Sequence, residues 1–524
     1  MKKFKLFAAS LGLMTLAACS NSEDVFNGAD QLAQLEQEDN AIQFGTYMGQ
    51  SAQTRAGTAG AITTTSLKTG AHKDDGFGVF AYYTGNDDYT YSAVTTTGAT
   101  GQSSTTPNFM YNQQVKWNSL ASVSAITAWE YTPVKYWPND IAGSGSAVDD
   151  QTSAATGSNT YGGKVSFFAY APYVASGSGS DGITAMTGNS VASDPILTYT
   201  VASAGDKVVD LLWGTFGSAS VNVVEGSNSG VTYNASGTNY QKSILPNKTS
   251  TPTGYTLNAD LTKQKTNGKV DFAFKHALAK VGGSQTDELT NSGLKIILDL
   301  DDGEGAVTGG SKADATLVTV KSISIVAKAK SASSGDDKYL QTNMTGTFNL
   351  ANGNWNVTST TGTSAAAAST THVINQSGTG TNVAGTLNSD IAENIITYSS
   401  GWKAAGSAIA GVTTTAKNVY ASEASPLVFI PGTYPELTVT IDYLVRTYDA
   451  NLSTGYSQVE QQITKTINFT EAVKLNKQYN LLIHLGLTSV KFTATVSSWD
   501  PDINEDGNVD DSDREAIYLP INVD

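Results

Sequence analysis

The sequence predicts an all-β protein: two tandem β-sandwich domains with long polar loops. Three observations point there. Apolar and polar residues alternate with period two along many short runs rich in β-branched and aromatic residues, the pattern of strands with one buried face. Charged residues make up only 15% of the 524, while 50 glycines and abundant Ser, Thr and Asn fill the stretches between runs. Helical periodicity is confined to short pieces such as Gln31–Glu38. With 40% hydrophobic and 9% aromatic residues, the chain can bury sizeable cores. The length allows two or three domains, and two sandwiches account for it.

From the N-terminus, Ile42, Phe44, Thr46 and Met48 alternate with Gln43, Gly45 and Tyr47. This reads as an edge strand, with a plain tether as the alternative. Phe77–Tyr83 is an aromatic strand bounded by Gly76 and Gly85, and Lys164–Tyr173 (KVSFFAYAPY) is a strand interrupted near its end by Pro172. These two runs and Val270–Val281, Leu294–Leu300, Lys321–Val326, Leu437–Val445 and Ser489–Val496 each read as a half-buried strand. Ala142–Asn159 and Thr358–Thr371 have too little apolar surface to pack and read as solvated loops. The break in composition at Pro246–Gly268 places the domain boundary, giving sandwiches over 56–260 and 261–500 and a tail over 501–524.

The first residues read as an export signal. Lys2, Lys3 and Lys5 precede the apolar run Leu6–Leu16, too short to span a bilayer. Leu16-Ala17-Ala18-Cys19 then resembles a bacterial lipobox, and Cys19 is the only cysteine in the chain. Residues 1–18 are therefore expected to be a lipoprotein signal peptide and 19–55 a lipidated leader, the alternative being a plain secretory signal. Several acyl chains at Cys19 would anchor the protein stably to the outer membrane. Glu23 and Asp24 soon after resemble a surface-export signal, against the plainer reading of a solvated tether. No cysteine is left for a disulfide or thiolate site. The net charge of −16 argues against nucleic acid as a partner.

Several motifs together carry a family resemblance. WEYTPVKYWPND (Trp129–Asp140), KVSFFAYAPY (Lys164–Tyr173), VDLLWGT (Val209–Thr215) and FKHALAKV (Phe274–Val281) resemble the fimbrillin, or Mfa-like, lipoproteins of the Bacteroidales. So do GTFNLANGNW (Gly346–Trp355), PLVFIPG (Pro426–Gly432) and the stretch Leu475–Asp500, in the same order. The resemblance implies two transthyretin-like sandwiches in a stalk, anchor or tip subunit of type V fimbriae. It further implies cleavage by an Arg-specific protease at Arg55–Ala56, releasing the lipidated leader. Arg55 is one of only three arginines, in a Gly/Ala/Thr-rich segment of the kind where proteolysis concentrates. The plainer reading is a linker arginine. If residues 42–48 form a strand, their removal would expose an apolar groove and an unpaired edge.

The remaining motifs read as structural. Trp129, Tyr131, Tyr136, Trp137, Phe167 and Phe168 are expected to fill cores, with an aromatic carbohydrate platform as the alternative. His276 reads as a satisfied structural histidine, and His72, His276, His372 and His484 have no metal-ligand spacing. No nucleophile elbow, zincin helix or phosphate loop is present, so no enzymatic activity is expected.

The tail carries two further features. Asp502, Asn504, Asp506, Asn508, Asp510 and Asp513 sit at the ligand spacing of a calcium loop, with Gly507 at the sharp turn. Aspartate at the last position looks like half of a dockerin rather than an EF-hand. Beyond it Ile517, Leu519, Ile521 and Val523 alternate with Tyr518, Pro520 and Asn522, a terminal strand with no evident partner in its own domain. It suits a donor strand for the groove of the next subunit. The function expected is a surface lipoprotein precursor that assembles head-to-tail with other fimbrial subunits. The alternative is a non-polymerising, calcium-stabilised lipoprotein or adhesin that binds a glycan or protein on a host or microbial surface.

Overall fold

The computed structural model describes residues 41–47, 62, 64–68, 70–85, 89, 106–118, 129–138, 164–175, 182–216, 223–225, 231–234, 239–241, 258–261, 268–281, 293–298, 316–330, 340–341, 344–357, 369–392, 413–421, 425–448, 451–454, 456–486, 490–498, 517–518 and 521–523. The architecture lies within one compact unit, Ile42–Asp524. Its strands are β1 (Gln43–Tyr47), β2 (Phe77–Gly85), β3 (Met110–Trp117), β4 (Trp129–Glu130), β5 (Lys164–Ala171), β6 (Gly182–Met186), β7 (Ile196–Thr200), β8 (Leu212–Phe216), β9 (Val223–Glu225), β10 (Val231–Asn234), β11 (Asn239–Gln241), β12 (Asn258–Leu261), β13 (Lys269–His276) and β14 (Ala279–Val281). There follow β15 (Leu294–Leu298), β16 (Thr316–Lys330), β17 (Leu340–Gln341), β18 (Thr345–Asn349), β19 (Asn354–Val357), β20 (Thr370–Asn375), β21 (Val383–Thr386), β22 (Thr413–Asn418), β23 (Leu427–Phe429), β24 (Tyr434–Tyr448), β25 (Tyr456–Phe469), β26 (Lys477–Leu485), β27 (Val490–Ser498), β28 (Ile517–Tyr518) and β29 (Ile521–Val523). One short helix, α1 (Thr64–Lys68), precedes β2. The expected all-β class is borne out.

The first sheet runs β12-β5-β2-β3-β4-β1-β13-β8, and β8 returns to pair with β5. Among the described residues it therefore closes into a ring rather than lying as an open layer. Phe77, Val79 and Ala81 of β2 and Val165, Phe167, Ala169 and Ala171 of β5 fill the ring core, with Phe272 and Phe274 of β13. The opposite faces of β2 and β5 are covered as well, since Phe80, Tyr82, Phe168 and Tyr170 join the second core. Lys164–Ala171 is thus buried on both faces, not half-buried as expected. That is why its sequence reads as a continuous apolar run rather than an alternation.

The second core lies between two sheets. One has the order β22-β15-β26-β14-β23, with β27 and then β28 beside β26. The other runs β21-β20-β16-β24-β25-β29. Leu437, Val439, Ile441 and Tyr443 of β24 face Leu481, Ile483 and Leu485 of β26 across one apolar cluster, the layered packing of a sandwich. Along β16 the residues in the second core are Val318 and Val320, then Ile323, Ile325, Ala327 and Ala329. A bulge between Val320 and Ser322 shifts the phase, because an extra residue turns every later side chain to the other face.

Two expectations about organisation change. The run Val270–Val281 is two strands in two sheets: β13 pairs with β1 and β8, and β14 with β23 and β26. The chain changes sheets at Ala277–Leu278, after the boundary expected at Pro246–Gly268, because β12 and β13 both complete the first sheet. The two portions also share a sheet, β19-β18-β7-β6, in which β7 pairs with β18. Trp213 Nε1 donates to Leu350 O at 2.9 Å and Trp355 Nε1 to Ala277 O at 2.7 Å, bonds within the second core that tie β8 of the first sheet, and the chain just after β13, to the segment that carries β18 and β19.

Candidate assembly site: the leader strand in its slot

β1 lies in a slot of the first sheet. It runs parallel to β13, with Gln43–Tyr47 opposite Lys269–Ala273, and its Phe44 stands opposite Trp129 of β4. β13 pairs with β1 along its whole length and β4 reaches its other edge at Phe44, so β1 lies inside the sheet order and is not the edge strand expected. The reason is the ring: β4 and β13 are brought within reach of one strand, and among the described residues β1 bridges them.

The inward side chains make the slot an aromatic one. Phe44 is 4% exposed, and its ring centroid lies 5.2 Å from that of Tyr131, 5.9 Å from Phe272, 6.0 Å from Phe167 and 6.2 Å from Phe77. Burying a phenylalanine this way contributes about 1.5–3 kcal/mol, with up to about 1.5 more from favourable ring pairs. Polar groups fix the entry of the strand. Ile42 N donates to Lys135 O at 2.9 Å, and Tyr131 Oη donates to Ile42 O at 2.9 Å. Burial pushes the Tyr131 phenol up to about 12, so it remains a donor throughout the physiological range. Gln43 N and Trp137 Nε1 both donate to Gly268 O, at 3.2 and 3.0 Å.

The chain is tied down again beyond the slot. Ile62 is buried, and its N–H donates to Asp210 Oδ2 at 3.0 Å, an oxygen that also accepts from His276 Nδ1 at 2.7 Å. Leu67 of α1 joins the ring core, and Lys68 Nζ sits 4.4 Å above the Trp117 ring. Burial, and secondarily Lys269, lower the Lys68 pKa. Arg55 and Ala56 fall in the connection 48–61, between these two anchored segments and outside the described residues. Cys19 and the calcium-loop residues Asp502, Asn504, Asp506, Asn508, Asp510 and Asp513 also lie outside them.

The expectation that the C-terminal strand has no partner in its own domain is corrected. Ile517 and Tyr518 pair with Val496 and Thr495 of β27, and Ile521–Val523 pair with Phe469–Ile467 of β25. The tail thus has partners in its own chain, on the edges of two different sheets, and is two short strands instead of one. Leu519 lies outside the described residues.

The aromatic expectations hold for Trp129, Tyr131, Trp137, Phe167 and Phe168, which are all buried. Tyr136 is 40% exposed and does not fill a core; it lies in the irregular segment after β4, where no strand periodicity assigns its face. His276 is buried against Asp210, a partner that no spacing in the sequence announces. Among the described residues, no group of three or more His, Cys, Asp or Glu is placed to hold a metal. Sequence reasoning also passed over Gly45, although a glycine inside an alternating strand signals a close approach.

No protein-family model matches the chain. Fimbrium subunit Fim1C of Phocaeicola vulgatus is 28% identical over 206 residues, which are 38% of this chain and 40% of that protein. The chain thus spans about two fifths of the length of this curated relative. A crystal structure of a fimbrial protein from Bacteroides vulgatus gives a TM-score of 0.49 at 18% identity, covering 88% of this chain and 99% of that one. A candidate cell adhesion protein from Bacteroides uniformis gives 0.32 at 12% identity, covering 88% and 98%. The sequence match supports the fimbrillin-like resemblance: over its matched stretch, the chain is similar to a fimbrium subunit.

Proposed function

We propose that the chain is the precursor of a fimbrial subunit, anchored at the outer membrane through Cys19, whose leader strand closes an assembly slot until cleavage between Arg55 and Ala56. The observation that carries this reading is the position of β1, which lies between β13 and β4 with Phe44 buried and is joined to Ile62 through residues 48–61. A cut there leaves Ile62 and Leu67 anchored and β1 held only by pairing and packing. Another subunit's strand can then replace it, ladder for ladder. Repetition of slot and donated strand, head to tail, gives an open filament. The tail residues Ile517, Leu519, Ile521 and Val523 are the strand this chain offers in turn to a neighbouring subunit. Calcium bound by Asp502, Asn504, Asp506, Asn508, Asp510 and Asp513 would neutralise a crowded carboxylate loop and fix the chain path leading to it. The similarity to a fimbrium subunit supports this reading.

One observation favours a second reading. β28 and β29 pair with their own chain, which suits a non-polymerising, calcium-stabilised surface lipoprotein or adhesin that binds a glycan or protein. Electron microscopy of surface fibres separates the two. Arg55→Ala is expected to abolish fibres while leaving a folded, lipidated monomer, because β1 stays in its slot. Normal fibres from Arg55→Ala cells would end the cleavage reading, and a fibreless native strain would favour the adhesin.

A further inference from the structure

The slot that β1 fills is selective on its outer face. Ile42 and Phe44 turn inward, whereas Gln43 is exposed and Gly45 shares its face. Gly45 stands opposite Asp271 of β13. The Asp271 carboxylate, 6% exposed, and the Lys269 ammonium are paired at 2.9 Å. A Cβ at position 45 would lie 1.7 Å from Asp271 Oδ1 and 2.7 and 2.8 Å from Cε and Nζ of Lys269. The half-exposed lysine can swing into solvent. The aspartate is short and buried, and moving it aside separates it from its cation. The position accordingly takes glycine.

The C-terminal strand does not meet this requirement. Laying its apolar residues Ile517, Leu519, Ile521 and Val523 on the inward positions puts Tyr518, Pro520 or Asn522 opposite Asp271, according to register. Each has a Cβ. Pro520 also lacks the N–H that a strand paired on both edges needs. In its own chain the tail forms two short strands, β28 and β29, which pair on separate sheet edges.

We infer that the slot receives a strand from a different subunit, one with glycine opposite Asp271 beside an aromatic residue at the Phe44 position, and that it rejects the C-terminal strand of a second copy of this chain. This rests on the reading that the leader strand leaves the slot. The leader itself is the template: Ile42 and Phe44 flank one outward residue, and Gly45 follows. The subunit therefore joins a mixed filament and does not polymerise with itself through Ile517–Val523.

The full-length chain tests the position directly. At an ordinary strand position, valine in place of glycine raises stability. Here Gly45→Val is expected to lower the melting temperature, and Asp271→Ala to recover part of the loss. A Gly45→Val chain as stable as the native one overturns the inference. The partner is tested on full-length Arg514→Lys protein nicked at Arg55 by an Arg-specific protease. Labelled peptides are added and binding is read by fluorescence anisotropy. The peptide of residues 41–49 is expected to bind, with its Gly45→Val form and the peptide of residues 515–524 weaker by about tenfold or more. Equal binding of all three overturns the selectivity and leaves slot opening standing. Binding by none, with the Gly45→Val penalty present in the uncut chain, overturns slot opening and the mixed partner together.

Discussion

Single residues decide how the slot and the second core respond to change. Gly45 and Tyr131 act on the leader strand from opposite sides: one leaves room for the Lys269–Asp271 pair, the other holds the Ile42 carbonyl. His372 matters for pH. It is fully buried, its Nε2 hydrogen-bonds the Tyr420 hydroxyl at 2.9 Å, and its Nδ1, with no partner among the described residues, faces Gly205. Burial lowers its pKa from 6.5 to about 4. Between these values the unfolded chain binds a proton that the folded chain does not. Stability should therefore fall as the pH drops from about 6.5 to about 4, by up to about 1.4 kcal/mol per pH unit from this residue, and level off below. Denaturant titrations across that range check this. His372→Asn should flatten the slope, and an unchanged slope would mean other groups set the acid response.

At the scale of elements, the two ends of the chain are held very differently. β1 is paired on both edges and packed inside a core, whereas β28 and β29 add two and three residues to sheet edges. Deleting Arg514–Asp524 should thus lower the melting temperature only slightly while ending strand donation to a neighbour. A large loss would mean that the tail is part of the sandwich and is not released. The calcium loop lies just before that tail. Calorimetric titration should show one calcium site, lost in Asp502→Ala/Asp506→Ala. No heat of binding would remove the metal from the account.

At the scale of the whole molecule, the two cores are not independent. The β7–β18 pairing and the Trp213 and Trp355 hydrogen bonds join residues far apart in sequence, and β2 and β5 serve both cores at once. Separate domains with a polar interface would unfold in steps. Here scanning calorimetry should show one main transition for Ile42–Asp524. Two well-separated transitions would show that the shared sheet couples the cores weakly.

Much of this was legible in the residues themselves. Alternation marked the strands, because a half-buried strand writes its faces into the chain with period two. It marked Leu437, Val439 and Ile441 and, at the other end, Ile42 and Phe44. What alternation cannot encode is which strand stands beside which. That Lys164–Ala171 is buried on both faces, that β1 is internal and that the run at Val270–Val281 divides between two sheets all depend on pairings across tens to hundreds of residues. The Asp210–His276 pair and the Asp271 carboxylate over Gly45 exist only once those strands meet. The sequence by itself determined the strands, their buried faces and the fimbrillin-like motifs, because these are local patterns of polarity and shape. The tertiary structure alone decided the closed ring and the slot, because closure sets the neighbours of each strand, and the neighbours decide what the slot accepts.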